Sequence, residues 1–209
     1  SQLLALVLDA KRGEMVVDFC AGAGGKTLLL GALMRSTGRL YAFDVSDKRL
    51  QKLKPRLARS GLSNVHPACI SNENDLRVKR LSGKIDRVLV DAPCSGLGTL
   101  RRNPDLKWRQ TPQGVEELTH KQRDILAGAA RLVKPGGRLV YATCSMLAEE
   151  NEAVVDAFLA VHADFHRLNA LELLAQQSIV ISGDGPDMRL LPHVHGSDGF
   201  YAAVLERVK

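Results

Sequence analysis

No two cysteines of this chain form a C-x-x-C pair. The four present, Cys20, Cys69, Cys94 and Cys144, are scattered along 209 residues. That spacing argues against a zinc site. Nothing marks a secreted disulfide scaffold either, and a reducing cytoplasm fits the thiols best. Long apolar runs are also missing: none approaches the roughly 20 residues that a bilayer crossing needs. The opening Ser1-Gln2-Leu3-Leu4-Ala5-Leu6 has no basic lead and no cleavage pattern, so no signal peptide is expected. There is no initiator Met, no internal repeat and no low-complexity tract. The apolar helical opening leads to the expectation of one domain over residues 1–209, cut from a longer chain at its N-terminal side.

What is present describes an ordinary globular domain. Hydrophobic residues make up 45% and charged residues 25%. A core of this length can bury roughly 70% of the unfolded surface. The net charge is +6, which favours a polyanionic partner. The cations bunch at Lys48 to Arg59, Arg77 to Arg87 and Arg101 to Arg109. A solvated helix face explains the first bunch as well as a partner does. The third, Arg101-Arg102-Asn103-Pro104-Asp105-Leu106-Lys107-Trp108-Arg109, holds the only Trp and reads as a nucleic-acid contact.

Strand and helix patterns alternate. Met15 to Phe19 predicts strand one and Lys26 to Arg35 a helix. Arg39 to Asp44 predicts strand two, followed by a helix capped by Ser46 that Pro55 should kink or shorten. His66 to Ile70 is a weak third strand, and Ile85 to Val90 a fourth. Thr111 and Pro112 open a long helix expected to reach Val133. Gly137 to Val140 begins a fifth strand, followed by a helix from about Ala148 to His162. The stretch from Asp164 to Pro192 should hold a helix and a short strand. Gly199 to Leu205 reads as the last strand. The alternation implies a mostly parallel sheet covered by helices on both faces.

Three loops stand at the carboxyl ends of these strands, where open α/β sheets bind ligands. The first, Asp18-Phe19-Cys20-Ala21-Gly22-Ala23-Gly24-Gly25-Lys26-Thr27, has glycines that let a ligand approach the backbone. A P-loop would need glycine where Cys20 stands, so ATP-type hydrolysis is disfavoured. A dinucleotide fingerprint would need glycine at Thr27. S-adenosylmethionine remains, with Asp44 at the end of strand two placed for its ribose hydroxyls. A tight turn without a ligand is the competing reading.

The other two loops are Asp91-Ala92-Pro93-Cys94-Ser95-Gly96 and Tyr141-Ala142-Thr143-Cys144-Ser145. Cys69, inside an apolar stretch, reads as a small buried hydrophobe. Cys94 and Cys144 lie among Pro, Gly, Ser and Thr, and suggest thiol chemistry. Methylation at carbon 5 of cytosine needs a nucleophile at carbon 6 and removal of the carbon-5 proton. His193 and His195 suit a turn better than a metal, and no metal is expected.

These residues resemble the Sun-type (RsmB-like) RNA cytosine-5 methyltransferases, a family that includes the bacterial ribosomal-RNA enzyme. The likeness runs over nearly the whole chain, through Asp18 to Thr27, Asp44, Asp91 to Gly96, Arg101 to Trp108, Lys134 to Gly137, Thr143-Cys144-Ser145 and His195 to Phe200. The cysteines of the paired motifs are 50 residues apart (144 minus 94). The resemblance implies a Rossmann-like class I methyltransferase fold of seven strands with the last antiparallel. It implies Cys144 as nucleophile and Cys94 as the thiol that assists proton removal and release of RNA. Asp91 would hold the target base or the reacting end of the cofactor. Cys20, Ala21, Gly22, Ala23, Gly24, Gly25 and Lys26 would wrap the methionine and ribose of S-adenosylmethionine. Asp44 would bind the ribose, and Asp75 is the expected acid at the adenine. The loop departs from the common Ala-Ala-Pro-Gly-Gly-Lys form, which should loosen the turn. The implied partner is RNA, ribosomal RNA in the first place, bound by a cytoplasmic monomer whose upstream RNA-binding segment is missing. The alternative is an RNA-binding module that keeps the fold without catalysis.

Overall fold

Apolar runs and amphipathic segments alternate in a sheet with helices on both faces. The structure, a computed structural model, describes residues 2–209. Helix α1 (Gln2–Leu8) leads into β1 (Met15–Asp18), α2 (Gly25–Leu33), β2 (Arg39–Asp44), α3 (Asp47–Ser60), β3 (Val65–Cys69) and the short α4 (Leu76–Lys79). Strand β4 (Ile85–Asp91) is followed by a 3₁₀ turn at Leu97–Thr99, then α5 (Leu106–Arg109) and α6 (Pro112–Ala130). Next come β5 (Val133–Thr143), a second 3₁₀ turn at Ala148–Glu150, α7 (Glu152–Val161), β6 (Phe165–Leu168) and α8 (Ala170–Ala175). The chain closes with β7 (Met188–Leu190), α9 (Pro192–His195) and β8 (Phe200–Arg207).

The strand order is β3-β2-β1-β4-β5-β8-β6, and β1 to β5 run parallel. Strand β8 is antiparallel to β5, with Val140 opposite Val204. Eight strands form where seven are expected, because β6 and β7 share the outer edge of β8. β6 pairs with Val204 to Arg207, and β7 with Phe200 to Ala202. Along β4 the period of two sends Val88 and Val90 to one face and Leu89 to the other. The first face packs on Leu126 of α6 and Phe158 of α7. The second packs on Leu4 of α1, Leu30 of α2 and Leu53 of α3. The carbonyls that end α1 are met by Arg138 Nη1, 3.0 Å from Val7 O, and by Arg87 Nη1, 3.3 Å from Leu8 O. No helix among the described residues is long and apolar enough to cross a membrane.

Three local expectations are corrected. Ser46 stands at the start of α3, but its hydroxyl caps nothing. Its N–H donates to Asp44 Oδ1 at 2.8 Å, and the Arg49 N–H that a side-chain cap would accept goes to the Ser46 carbonyl at 3.0 Å. Pro55 does not shorten α3, which runs on to Ser60 and closes at Gly61, φ +68°. The proline is exposed, so its ring meets solvent rather than packed chain. Helix α6 stops at Ala130 rather than Val133. The fully buried Val133 pairs with Ile85, and the strand pairing shifts before it resumes at Arg138 opposite Arg87. By contrast Thr111 caps α6 as expected, accepting the Gly114 N–H at 3.1 Å.

Candidate active site

The chain after β1 turns to α2 on one face of the sheet, while the chain after β4 leads to α6 on the other. The loops that leave these adjacent strands therefore diverge and open a crevice at their carboxyl ends. Lys26 of the first loop and Asp91 at the start of the second both line it. Cys144 enters at the end of β5, beside β4.

The first loop is held by its backbone. Ala21 N–H donates to Phe43 O at 2.8 Å, and Gly22 N–H donates to Asp44 Oδ2 at 2.8 Å. Gly22 and Gly24 take φ +56° and +86°, a region that glycine enters without strain. A side chain at Gly24 would also collide with Leu53. Asp44 is only 4% exposed and both its oxygens accept backbone N–H groups, so it locks the loop to β2. Cys20 packs against the core, and burial drives its thiol well above the usual range.

Asp18, placed under this loop and given no role by sequence reasoning, is fully buried. Thr27 Oγ1 donates to its Oδ2 at 2.6 Å, while Oδ1 has no partner. Burial pushes the carboxyl up to about 6, against the hydrogen bond from Thr27. The available signal was an acid at the last position of a strand, directly before a glycine loop.

Cys94 Sγ and Cys144 Sγ lie 3.3 Å apart. The bond between them, and then burial, raises the Cys94 thiol far above its usual range. The same bond lowers Cys144, helped by Lys26 and opposed by burial and by Asp91. The direction of these shifts favours charge on Cys144, with Cys94 as its protonated partner. Lys26 Nζ forms an ion pair with Asp91 across the crevice. A cleft of about 880 Å³ opens over this group, lined by Lys26, Asp91, Arg101, Arg102, Cys144 and Phe200. Its size suits a sizeable ligand.

Backbone bonds staple the walls of the cleft. Gly98 N–H donates to Cys144 O and Gly199 N–H to Gly98 O, each at 2.8 Å. A side chain at Gly98 would meet both Cys144 O and Gly199 O. Arg102 pairs with Asp198, and His195 accepts the Leu191 N–H through Nδ1 at 2.9 Å. Beyond the cleft Trp108 is 80% exposed, with Lys107 Nζ 4.7 Å from its ring centre. Asp75 is used differently. It caps α4 through Arg77 N–H at 2.9 Å and accepts Ser71 N–H at 3.0 Å, bonds that hold its carboxyl below the usual range. Cys69 is half-buried on the outer strand β3.

This sheet order, with an antiparallel β8 beside β5, is that of the Rossmann-like methyltransferases. The sequence profile of the family described as 16S rRNA methyltransferase RsmB/F matches residues 5–206, and the chain belongs to that family. It is 41% identical over 210 residues to a probable ribosomal RNA small subunit methyltransferase B of Synechocystis, covering 99% of this chain and 46% of that protein. A Bacillus subtilis protein of the same description is 35% identical over 99% of this chain and 46% of its own length. The chain thus spans about half the length of these relatives. The crystal structure of NSun6 from Pyrococcus horikoshii with SFG, an S-adenosylmethionine analogue, superposes with a TM-score of 0.86. There the identity is 31%, over 100% of this chain and 51% of the other.

Methyltransferases of this family use S-adenosylmethionine. The residues present fit it. Asp18, Asp44 and Asp91 stand at the strand ends, where carboxylates favour a cationic sulfonium, and a side chain at Gly22 or Gly25 would meet only open space.

Proposed function

We propose that the chain methylates carbon 5 of cytosine in RNA, ribosomal RNA in the first place, through a covalent bond between Cys144 and the base. The observation that carries this reading is the 3.3 Å approach of two thiols from different strands, at the mouth of the cleft beside Lys26 and Asp91. S-adenosylmethionine, when bound, supplies an electrophilic methyl group. The loop from Cys20 to Lys26 and the carboxylate of Asp44 would hold it. Asp75 remains the candidate at the adenine, with its carboxylate already committed to capping α4.

Cys144 is the better nucleophile because the S–H of Cys94 stabilises its thiolate. Its sulfur bonds to carbon 6, and the ring electrons then make carbon 5 the methyl acceptor. Asp91 orients the base or the reacting end of the cofactor. After transfer, which leaves the cofactor sulfur as a neutral thioether, the carbon-5 proton passes to solvent water with the assistance of Cys94. The electron pair left on carbon 5 re-forms the ring double bond and expels Cys144 as thiolate. Arg101, Arg102 and the exposed Trp108 form the approach for the RNA, supplying charge and a stacking face.

The test is incubation of the chain with labelled S-adenosylmethionine and small-subunit ribosomal RNA, followed by mapping of modified bases. 5-Methylcytosine that depends on Cys144 is expected. Cofactor binding without any methyl transfer, with or without a natural upstream segment, would favour a non-catalytic RNA-binding module.

A further inference from the structure

The 3₁₀ turn after β5 ends in a glutamate with no exposed surface. We propose that Glu150, with its neighbour Asn151, is the positioning pair that fixes the two cysteine loops against each other and so sets the distance between the sulfurs. The inference rests on the thiol chemistry proposed above and extends it to residues that touch neither base nor cofactor.

Glu150 forms no ion pair among the described residues. Its carboxylate instead accepts three hydrogen bonds from the Cys94 side. Ser95 N–H reaches Oε1 at 2.8 Å, Gln122 Nε2 reaches Oε1 at 3.0 Å, and the Ser95 hydroxyl reaches Oε2 at 2.5 Å. Gln122 also donates to Pro93 O at 2.9 Å. The residues on both sides of Cys94 are therefore tied to Glu150, directly or through one amide. Because the Ser95 hydrogen goes to the carboxylate, the Ser145 hydroxyl is the donor in the 3.1 Å bond between the two serines. That bond joins the residue after Cys94 to the residue after Cys144.

Asn151 holds the other loop. Its Oδ1 accepts the Thr143 hydroxyl at 2.5 Å, and its Nδ2 donates to Ser145 O at 3.2 Å. Thr143 and Ser145 flank Cys144. A buried carboxylate is costly unless its lone pairs are met, and broken buried networks are worse than none. Here a carboxyl group is retained in the core, with every bond it accepts leading to a cysteine loop. The Tyr141 hydroxyl, which donates to Glu150 O at 2.6 Å, anchors the turn itself to β5.

The test compares wild type with Glu150→Gln, in which an amide NH₂ faces donors that now meet oxygen. Circular dichroism confirms folding, and calorimetry should give an unchanged Kd for S-adenosylmethionine. With RNA, kcat should fall about tenfold while KM holds, since a full 1 Å misplacement of reacting groups is worth about a hundredfold. Independently of RNA, iodoacetamide alkylation of Cys144, followed by mass spectrometry, should shift its pH midpoint upward as the S–H of Cys94 moves away. A folded variant that keeps the wild-type midpoint, or the wild-type kcat, overturns the proposal. If Glu150→Gln does not fold, Ser95→Ala decides by the same two readouts. If the wild type makes no 5-methylcytosine, the parent reading fails, and the alkylation midpoint still tests the positioning.

Discussion

Lys26 and Asp91 form an ion pair that joins the loop after β1 to the end of β4. Their charges act on Cys144 in opposite directions, the lysine lowering its thiol and the aspartate raising it. The cleft therefore holds a pair of opposed charges beside Cys144. Removing one member should unbalance it predictably.

Lys26→Met leaves Asp91 uncompensated and should slow alkylation of Cys144 at pH 7. Asp91→Asn should speed it. A charge pair at about 4 Å in a water-like medium is worth about 1 kcal/mol, so each change should be roughly fivefold. Rates that move in the same direction in both variants would contradict this electrostatic account.

The two thiols should fail differently. Cys144→Ala should abolish both methyl transfer and any covalent link to RNA. Cys94→Ala should still allow addition and transfer but stall release, so that an RNA adduct survives denaturing electrophoresis. An intermediate accumulates only when the step that consumes it is removed. An adduct with Cys144→Ala but none with Cys94→Ala would exchange the roles.

Asp18 gives the protein a pH signature. Its folded carboxyl is raised from 3.8 to about 6 by burial. Its stabilising contribution is therefore complete below about pH 4 and is lost as pH rises through about 6. The loss amounts to about 3 kcal/mol at roughly 1.4 kcal/mol per pH unit. Asp18→Asn can still accept the Thr27 hydroxyl and cannot ionise. Its Tm advantage over wild type should be small near pH 4 and grow by about 6–12 °C by pH 7, at about 2–4 °C per kcal/mol for this size. A difference that does not vary with pH would show that Asp18 is not the titrating group.

Trp108 packs on nothing in the core. Trp108→Ala should leave the thermal midpoint unchanged and weaken RNA binding by about 1–3 kcal/mol, the range for loss of one stacked base. Filter binding at fixed salt, beside a melting curve, checks both. Unchanged RNA affinity would remove α5 from the interface.

Much of this molecule follows from local pattern. The apolar residues Ile85 and Val88 to Val90, and Leu139 to Tyr141, read as buried strands. Glycine at 22 and 24 marks a turn with positive φ, and Pro112 after Thr111 marks a helix start. Because the ends of parallel strands meet on one edge of a sheet, Asp44, Cys94 and Cys144 were legible as site candidates from their positions, while Cys20 and Asp91 entered through the family resemblance. What depended on packing was not legible. Ser46 lost its capping role to its own carbonyl, which takes the Arg49 N–H. Val133 left the helix because a strand partner awaited it at Ile85. Asp75 is drawn into its own turn. The charge on Asp18 depends on burial from all sides, and both the 3.3 Å between Cys94 and Cys144 and the bond from Ser95 to a glutamate 55 residues further on join loops far apart in the chain. Periodicity and turn chemistry act over a few residues and can be read along the chain. Hydrogen bonds between distant loops, and the removal of water from a carboxylate, exist only once the chain has closed on itself.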